Sequence, residues 1–536
     1  MGKEYLLGVD IGTYSSKGVL VSKDGAEVAG HVIQHGISMP APGYFEHDAD
    51  GVWWHDFVEI VRNLLTTSGI HPGQILAVGT SAIGPCVLPI DTQGRPLRPG
   101  ILYGIDTRAS KEVEHLETEL GRQHIFQQSG THLDSQAAGP KILWVRNNEP
   151  QIYEKTRWFL TSQAYLVYRL TGVASIDIYS ANCYAPLFDI YNFGWYENAA
   201  RHITPPERLP KASWSCEIAG EVTDPAARET GLAAGTPVIT GTIDAAAEAI
   251  SAGVAEVGDM MIMFGSSIFF IMKTAELLKT QHFWSANFLE KETFAFMGGM
   301  STSGSLTTWF RDRFAQVEVE SEKKGGVNAY AILAKEAAES PAGAKGLIAL
   351  PYFEGERTPL QDPAAKGVLF GLSLKHTRGD IYRAILESVG FGIRHNVEVM
   401  RQEGVIPKRI LAVGGGTQND LWMQIVSDIV NIELAIPQQL IGASYGDAFM
   451  AAVGVGLFKD LTEITRWVKN KKVVSPSQEV HKQYALNYKI FRDLYKATRS
   501  LMHELSDSQS KDPGPEGPAL SSPLKGGQAP SIFETG

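Results

Sequence analysis

Val9-Asp10-Ile11-Gly12-Thr13-Tyr14-Ser15-Ser16-Lys17-Gly18-Val19-Leu20 and Met261-Ile262-Met263-Phe264-Gly265-Ser266-Ser267-Ile268-Phe269-Phe270 are built alike. Each is an apolar strand, a tight turn of glycine and hydroxyl residues, and a second apolar strand. Such a turn can aim several backbone N–H groups and a hydroxyl at one anion. Two of them facing each other would grip a polyphosphate from both sides. Only the first carries an acid, Asp10, two residues before its glycine. That asymmetry suggests a nucleotide held between two related domains with a metal on one side.

Working outward, Asp24-Gly25 separates Lys17 to Ser22 from Glu27 to Gln34, a strong hairpin signal. Trp53 to Leu65 has helical apolar spacing, and Ile75-Leu76-Ala77-Val78-Gly79 reads as a short buried strand. The same pentapeptide returns as Ile410-Leu411-Ala412-Val413-Gly414. Turn and pentapeptide recur in the same order, so we read an internal duplication, with extra material between the matching strands of the second copy. Strands alternating with helical segments give an α/β architecture in both halves. The boundary falls near Gly241 to Ala255, giving an N-terminal domain at 1–245 and a C-terminal domain at 246–505. Residues 506–536, rich in Ser, Pro and Gly, read as a disordered tail.

Composition narrows the function. A chain of 536 residues exceeds what one core usually supports. Apolar content of 44% and charged content of 20% describe a globular protein. A net charge of −11 without a compensating basic run argues against nucleic acid, though not against ATP, whose site is local. The start lacks a signal-type apolar run, and Leu6 stands where a myristoylation pattern needs Ser or Thr. The longest apolar run, 260–272, falls short of the roughly 20 residues of a membrane span. A cytoplasmic protein without membrane contact is expected, with Cys86, Cys183 and Cys216 as reduced thiols. Whether it forms a homodimer stays open.

Neither a P-loop nor a G-x-G-x-x-G after a strand occurs. Gly442-Ala443-Ser444-Tyr445-Gly446 does fit the nucleophile elbow of serine hydrolases, with Ser444 as nucleophile. The preceding Pro437-Gln438-Gln439 is poor strand material, and the later histidines, His481 and His503, lie near the tail. Asp244 ends an apolar strand and opens the helical run Ala245 to Ile250, where it reads either as a helix cap or as a catalytic base.

Gly367-Val368-Leu369-Phe370-Gly371-Leu372, followed after seven residues by Asp380 to Glu387, resembles the second signature of the FGGY carbohydrate kinases. Pro351-Tyr352-Phe353-Glu354-Gly355-Glu356-Arg357-Thr358-Pro359 is similar to that family's Pro-Tyr-x-x-Gly-Glu-Arg-Thr-Pro segment. Lys141 to Val145 fits part of the first signature, while Ala138 departs from it. The resemblance covers about residues 4 to 500, to the xylulose kinase members first. It implies two duplicated actin-like ATPase domains, ribonuclease H-like, with an interdomain cleft.

By that resemblance, Asp244 accepts the proton of the sugar hydroxyl, and Asp10 is the metal-side carboxylate for Mg2+. Gly12, Thr13, Gly265 and Ser266 would touch the phosphates of ATP, and Gly304 and Thr308 would lie along the nucleotide. Gly415, Gly416 and Asn419 would line the adenosine. Trp53, Asp106 and Arg108 resemble substrate-side residues. The N-terminal domain would be the sugar side and the C-terminal domain the nucleotide side. Some positions depart from the xylulose kinase pattern: Ile83-Gly84-Pro85 replaces Met-His, Ala245 follows the base instead of Asn or Gln, and Tyr103 replaces a Trp. The expected reaction is phosphoryl transfer from ATP to a primary hydroxyl of a small ketose, xylulose first. Ribulose, glycerol and other polyols remain open, as do a non-catalytic sugar sensor and a serine hydrolase.

Overall fold

The computed structural model describes residues 4–438 and 441–511. Two seven-stranded sheets organise it. The first contains β1 (Tyr5–Ile11), β2 (Ser15–Ser22), β3 (Glu27–Gln34), β4 (Ile75–Ala82), β5 (Ile218–Glu221), β6 (Pro237–Ile239) and β7 (Thr242–Ile243). The second contains β8 (Asp259–Phe264), β9 (Ile268–Thr274), β10 (Trp284–Asn287), β11 (Phe294–Met300), β12 (Arg409–Val413), β13 (Leu434–Pro437) and β14 (Asn470–Val474). The helices that matter for the site are α1 (His55–Ser68), α2 (Asp244–Ala252), α3 (Gly304–Phe314), α4 (Arg378–Gln402), α5 (Asp420–Val430), α6 (Ala443–Gly454) and α7 (Gln478–Lys511).

The duplication read from the two turns is present in the topology. The orders β3-β2-β1-β4-β6-β5 and β11-β9-β8-β12-β13-β14 correspond strand for strand. The senses correspond too: each Gly turn joins an antiparallel pair, and each Ile-Leu-Ala-Val-Gly strand lies parallel to the first strand of its sheet. Central parallel strands are covered on both faces, which explains why these segments are continuously apolar rather than alternating. In the second copy, β10, β11, α3 and α4 are among the elements between β9 and β12, the extra material inferred from the wider spacing.

The helix expected over Trp53 to Leu65 begins as a π-helical turn at Ala49–Trp54 and becomes α1 only at His55. At the other end, α7 runs to Lys511, so the first six residues read as tail are helical. Met502 is buried there, and His503 meets Asp362 at 2.8 Å, which gives this polar helix an anchor. The rest of the expected tail, 512–536, lies outside the described residues.

Helix α6 belongs to the C-terminal half of the chain yet lies on β1 and β4 of the first sheet. Three glycines allow it. A methyl group on Gly8 would overlap the carbonyl oxygen of Ser444, one on Gly79 that of Asp447, and one on Gly446 that of Ala247 in α2. None of the three has a positive φ, so close backbone approach, not turn geometry, is what requires glycine. Ala448, Ala451 and Ala452 of α6 and Ala246 and Ala249 of α2 are buried in a core shared by both halves.

Candidate active site

Backbone register brings the first group of residues together. Asp10 pairs with Ser81 and Ile11 with Ala82, while Thr242 and Ile243 pair with the same two residues from the other side. The Gly12 turn, Ile83 and Asp244 therefore emerge together at the carboxyl ends of parallel strands, where open α/β sheets bind ligands. Ile83 N–H donates to Ile11 O at 2.8 Å, and Gly12 N–H closes its turn on Ser15 O at 2.9 Å. The Thr13 hydroxyl lies 3.2 Å from the Tyr103 hydroxyl.

Four carboxyl groups gather beneath this edge: Asp10, Asp244, Glu248 and Asp447. Burial pushes Asp10 up to about 6, against the attraction of Lys17. Glu248 is raised to about 7, first by burial and then by the charge of Asp10. Asp244 and Asp447 are raised well above the carboxylate range by burial and by Asp10. Lys17 is the cation that opposes this effect at Asp10 and Glu248. Such a cluster of hard oxygen donors, short of positive charge, suits Mg2+. Among the described residues no three His, Cys, Asp or Glu stand close enough to hold an ion together. The fit is therefore to an ion that keeps much of its water, as Mg2+ does.

Asp244 is the first residue of α2, and the cap position before it is Ile243, without a side-chain cap. Its Oδ1 accepts the adjacent Ala245 N–H at 2.7 Å. The carboxyl borders a cavity of about 270 Å³ between the two halves. Pro85, Tyr103, Tyr179 and Asn182 line it from the first half, and Phe269, Trp284, Met297 and Arg357 from the second. Lys141, fully buried, fixes one wall by donating to the carbonyls of Leu102, Tyr103 and Ser135 at 2.7, 2.8 and 2.7 Å. Asp177 fixes another: it accepts from Thr242 Oγ1 at 2.8 Å and caps the short helix that carries Tyr179 and Asn182. Arg357 is held over the cavity by the carbonyls of Met300 and Ile268, at 2.8 and 3.0 Å.

On the second sheet, Met263 pairs with Val413, so the Gly265 turn and Gly414 are adjacent. Ser266 O accepts the N–H groups of Ser303 and Ser305, and Gly265 O that of Gly304. The start of α3 is thus stitched to the turn. A methyl on Gly304 would come within 2.6 Å of Gly265 O. Ser266 N–H has no acceptor among the described residues. Thr308 Oγ1 lies 2.8 Å from the Tyr330 hydroxyl, and Arg311 covers the Tyr330 ring at 4.8 Å. Gly415 is exposed, with open space where a side chain would stand; Gly416 packs on Phe264 and Trp422. Asn419 Oδ1 caps α5 by accepting Trp422 N–H at 3.0 Å.

Three expected sugar ligands lie elsewhere. Asp106 is fully buried and forked by Arg108, whose Nη2 is 2.7 Å away, and it also accepts Phe45 N–H at 2.7 Å. Arg108 Nη1 meets Glu46 at 2.8 Å. With their hydrogen bonds spent on each other, on Phe45 and on Glu46, these two residues are built into the fold and do not line the cavity. Trp53 is likewise buried, donating to His47 Nδ1 at 3.0 Å. The hydrolase alternative fails on geometry, because Ser444 sits fully buried inside α6. The sequence reading missed Glu248, Asp447, Trp284 and Arg357. Only Arg357 carried a signal, as part of the Pro351–Pro359 segment. The three cysteines are free thiols.

The chain and its fold have counterparts among known proteins. The N-terminal domain model of the FGGY family of carbohydrate kinases matches residues 5–251, and the C-terminal domain model matches 260–455. A xylulose kinase from Staphylococcus epidermidis is 28% identical over 512 residues, covering 94% of this chain and 99% of that protein. A gluconokinase from Bacillus subtilis is 25% identical, over 94% of this chain and 98% of its own. The crystal structure of xylulose kinase from Rhodospirillum rubrum superposes with a TM-score of 0.86 at 30% identity, over 93% of this chain and all of that one.

Proposed function

Because the chain belongs to the FGGY family of carbohydrate kinases, we propose that it transfers the γ-phosphoryl group of ATP to a primary hydroxyl of a small ketose, D-xylulose first, giving xylulose 5-phosphate. The observation that carries this reading is Asp244 at the cavity edge, with Asp10 beside it at the end of β1. The sugar oxygen attacks the γ-phosphorus as the bond to the β-phosphate oxygen breaks. Asp244 takes the hydroxyl proton, and ADP leaves. Asp10 would hold Mg2+ through water; when bound, the ion supplies positive charge that offsets the phosphate oxygens. Burial and the neighbouring Asp10 charge disfavour ionised Asp244 in the ligand-free protein, and positive charge at the metal side would lower that barrier and free the carboxylate to accept the proton.

The Gly12–Thr13 turn serves the phosphates from one side and Gly265–Ser266 from the other. Gly304 and Thr308 flank the nucleotide, and Gly415, Gly416 and Asn419 flank the adenosine, Gly415 offering backbone without a side chain in the way. The N-terminal half, about 1–245, serves the sugar and the C-terminal half, about 246–505, the nucleotide. Substrate contact falls to Tyr103, Tyr179, Trp284 and Arg357, which line the cavity, and not to Trp53, Asp106 and Arg108, which do not.

Arg357 at the cavity favours a second reading, an acidic sugar such as gluconate, whose carboxylate a guanidinium would bind. Sugar-dependent ADP release over a panel of xylulose, ribulose, glycerol and gluconate tests both. Turnover with xylulose at the highest kcat/KM supports the first reading, and preference for gluconate supports the second. No sugar-dependent ADP release from folded protein would overturn the kinase assignment itself.

A further inference from the structure

Ser81 carries one hydroxyl proton but has two carboxyl oxygens against it, Asp447 Oδ2 at 2.7 Å and Asp10 Oδ1 at 3.1 Å. One proton cannot serve both acceptors, so one of the carboxyls must bring its own. Asp447 is fully buried, forms no ion pair among the described residues, and leaves its Oδ1 without a partner. Asp10 keeps slight exposure and has Lys17 nearby. The proton therefore belongs on Asp447. An acid at this point of α6, between Gly446 and Ala448, has no packing advantage over the alanines around it, since a buried carboxyl costs free energy unless hydrogen-bonded.

We propose that Asp447 is a positioning residue for phosphoryl transfer: its neutral carboxyl donates to Ser81 Oγ, which directs the Ser81 proton onto Asp10 Oδ1 and fixes that carboxylate at the metal side of the site. The Asp447–Ser81 link alone joins residues 366 positions apart. It also makes the orientation of Asp10 depend on α6, the helix that the C-terminal half lays across β4 at Gly79. This rests on the reading of Asp10 given under Proposed function.

The test uses the full-length protein with Mn2+ as the probe, titrated at saturating ADP and followed by the paramagnetic resonance of free Mn2+. Asp447→Ala and Ser81→Ala should each weaken Mn2+ binding about tenfold, in the range seen when a hydrogen-bond partner behind a metal ligand is lost. The double variant should lose no more than either single one, because both break the same chain. Asp447→Asn, whose amide N–H can still donate to Ser81, should stay within about threefold of wild type. Should Asp447→Ala fail to fold, the contrast between Ser81→Ala and Asp447→Asn carries the test. Asp10→Asn checks the underlying reading: unchanged Mn2+ affinity there removes Asp10 from the metal side and this inference with it. If Asp10→Asn weakens binding while Ser81→Ala does not, the positioning role alone is overturned. An Asp447→Asn loss as large as that of the alanine variants also overturns it, because charge and not hydrogen-bond donation would then be the contribution.

Discussion

Replacing Glu248 by Gln should stabilise the ligand-free protein above neutral pH and leave it unchanged in mild acid. Glu248 moves from the ordinary 4.5 to about 7 because burial and the Asp10 charge disfavour its ionised form more than Lys17 favours it. The folded state then holds the proton more tightly than the unfolded chain. Its contribution is complete below about pH 4.5 and is lost as pH rises through about 7. At about 1.4 kcal/mol per pH unit, the full displacement is worth about 3 kcal/mol. Partial contact with cleft water lowers this to roughly 1–3 kcal/mol. Gln keeps the acceptor for Ala443 N–H but cannot ionise. Wild type alone would not isolate the effect. Burial lowers His47 to about 4 and His395 to about 3, and these add stability as pH rises toward the ordinary imidazole range. The variant difference cancels both. Thermal melts without nucleotide or divalent ion should give equal Tm at pH 4.5 and a variant higher by roughly 1–3 °C at pH 8. A variant less stable than wild type at pH 8 would refute the reasoning, since ionised Glu248 would then be a net partner for Lys17.

Other outcomes follow from the packing. Gly79→Ala should destabilise by about 1–3 kcal/mol or more, because its methyl would press on the Asp447 carbonyl and lift α6 from β4; denaturant melts read this directly. Gly304→Ala should raise the KM for ATP several-fold while the KM for sugar stays put, since the strain falls on the seam between α3 and the Gly265 turn. Asp106→Asn should lower Tm without changing sugar KM in the folded fraction, because it leaves the buried Arg108 charge with Glu46 as its one remaining carboxylate partner, a loss that falls in the fold and not in the cavity.

What the sequence disclosed was what lies close together along the chain. The two Gly turns and the two Ile-Leu-Ala-Val-Gly strands are contiguous, and their pattern survives into the sheet order because burial on both faces of β4 and β12 demands it. Asp244 was visible as a strand-to-helix junction. Asp447 was not, because its role arises when α6 docks on a strand near the other end of the chain. There Gly442 to Gly446 imitated a hydrolase elbow, although Gly446 serves a backbone contact with α2. Asp106 and Arg108 were legible as a close pair, but their burial was not: two residues apart on a turn, they close on each other inside the fold. Trp284 lines the cavity only because the second sheet folds over the first half, and no local pattern marks it.

The central claim is that Asp244 takes the proton during phosphoryl transfer to a sugar. Its most direct test is Asp244→Asn, with ATP affinity measured by calorimetry and turnover by sugar-dependent ADP release on the best substrate of the panel. ATP binding should stay within about threefold of wild type while kcat falls by about 10²–10⁴-fold, the range expected for loss of a general base. Turnover near wild type with the fold intact would contradict it, and would leave Asp244 as no more than the first residue of α2.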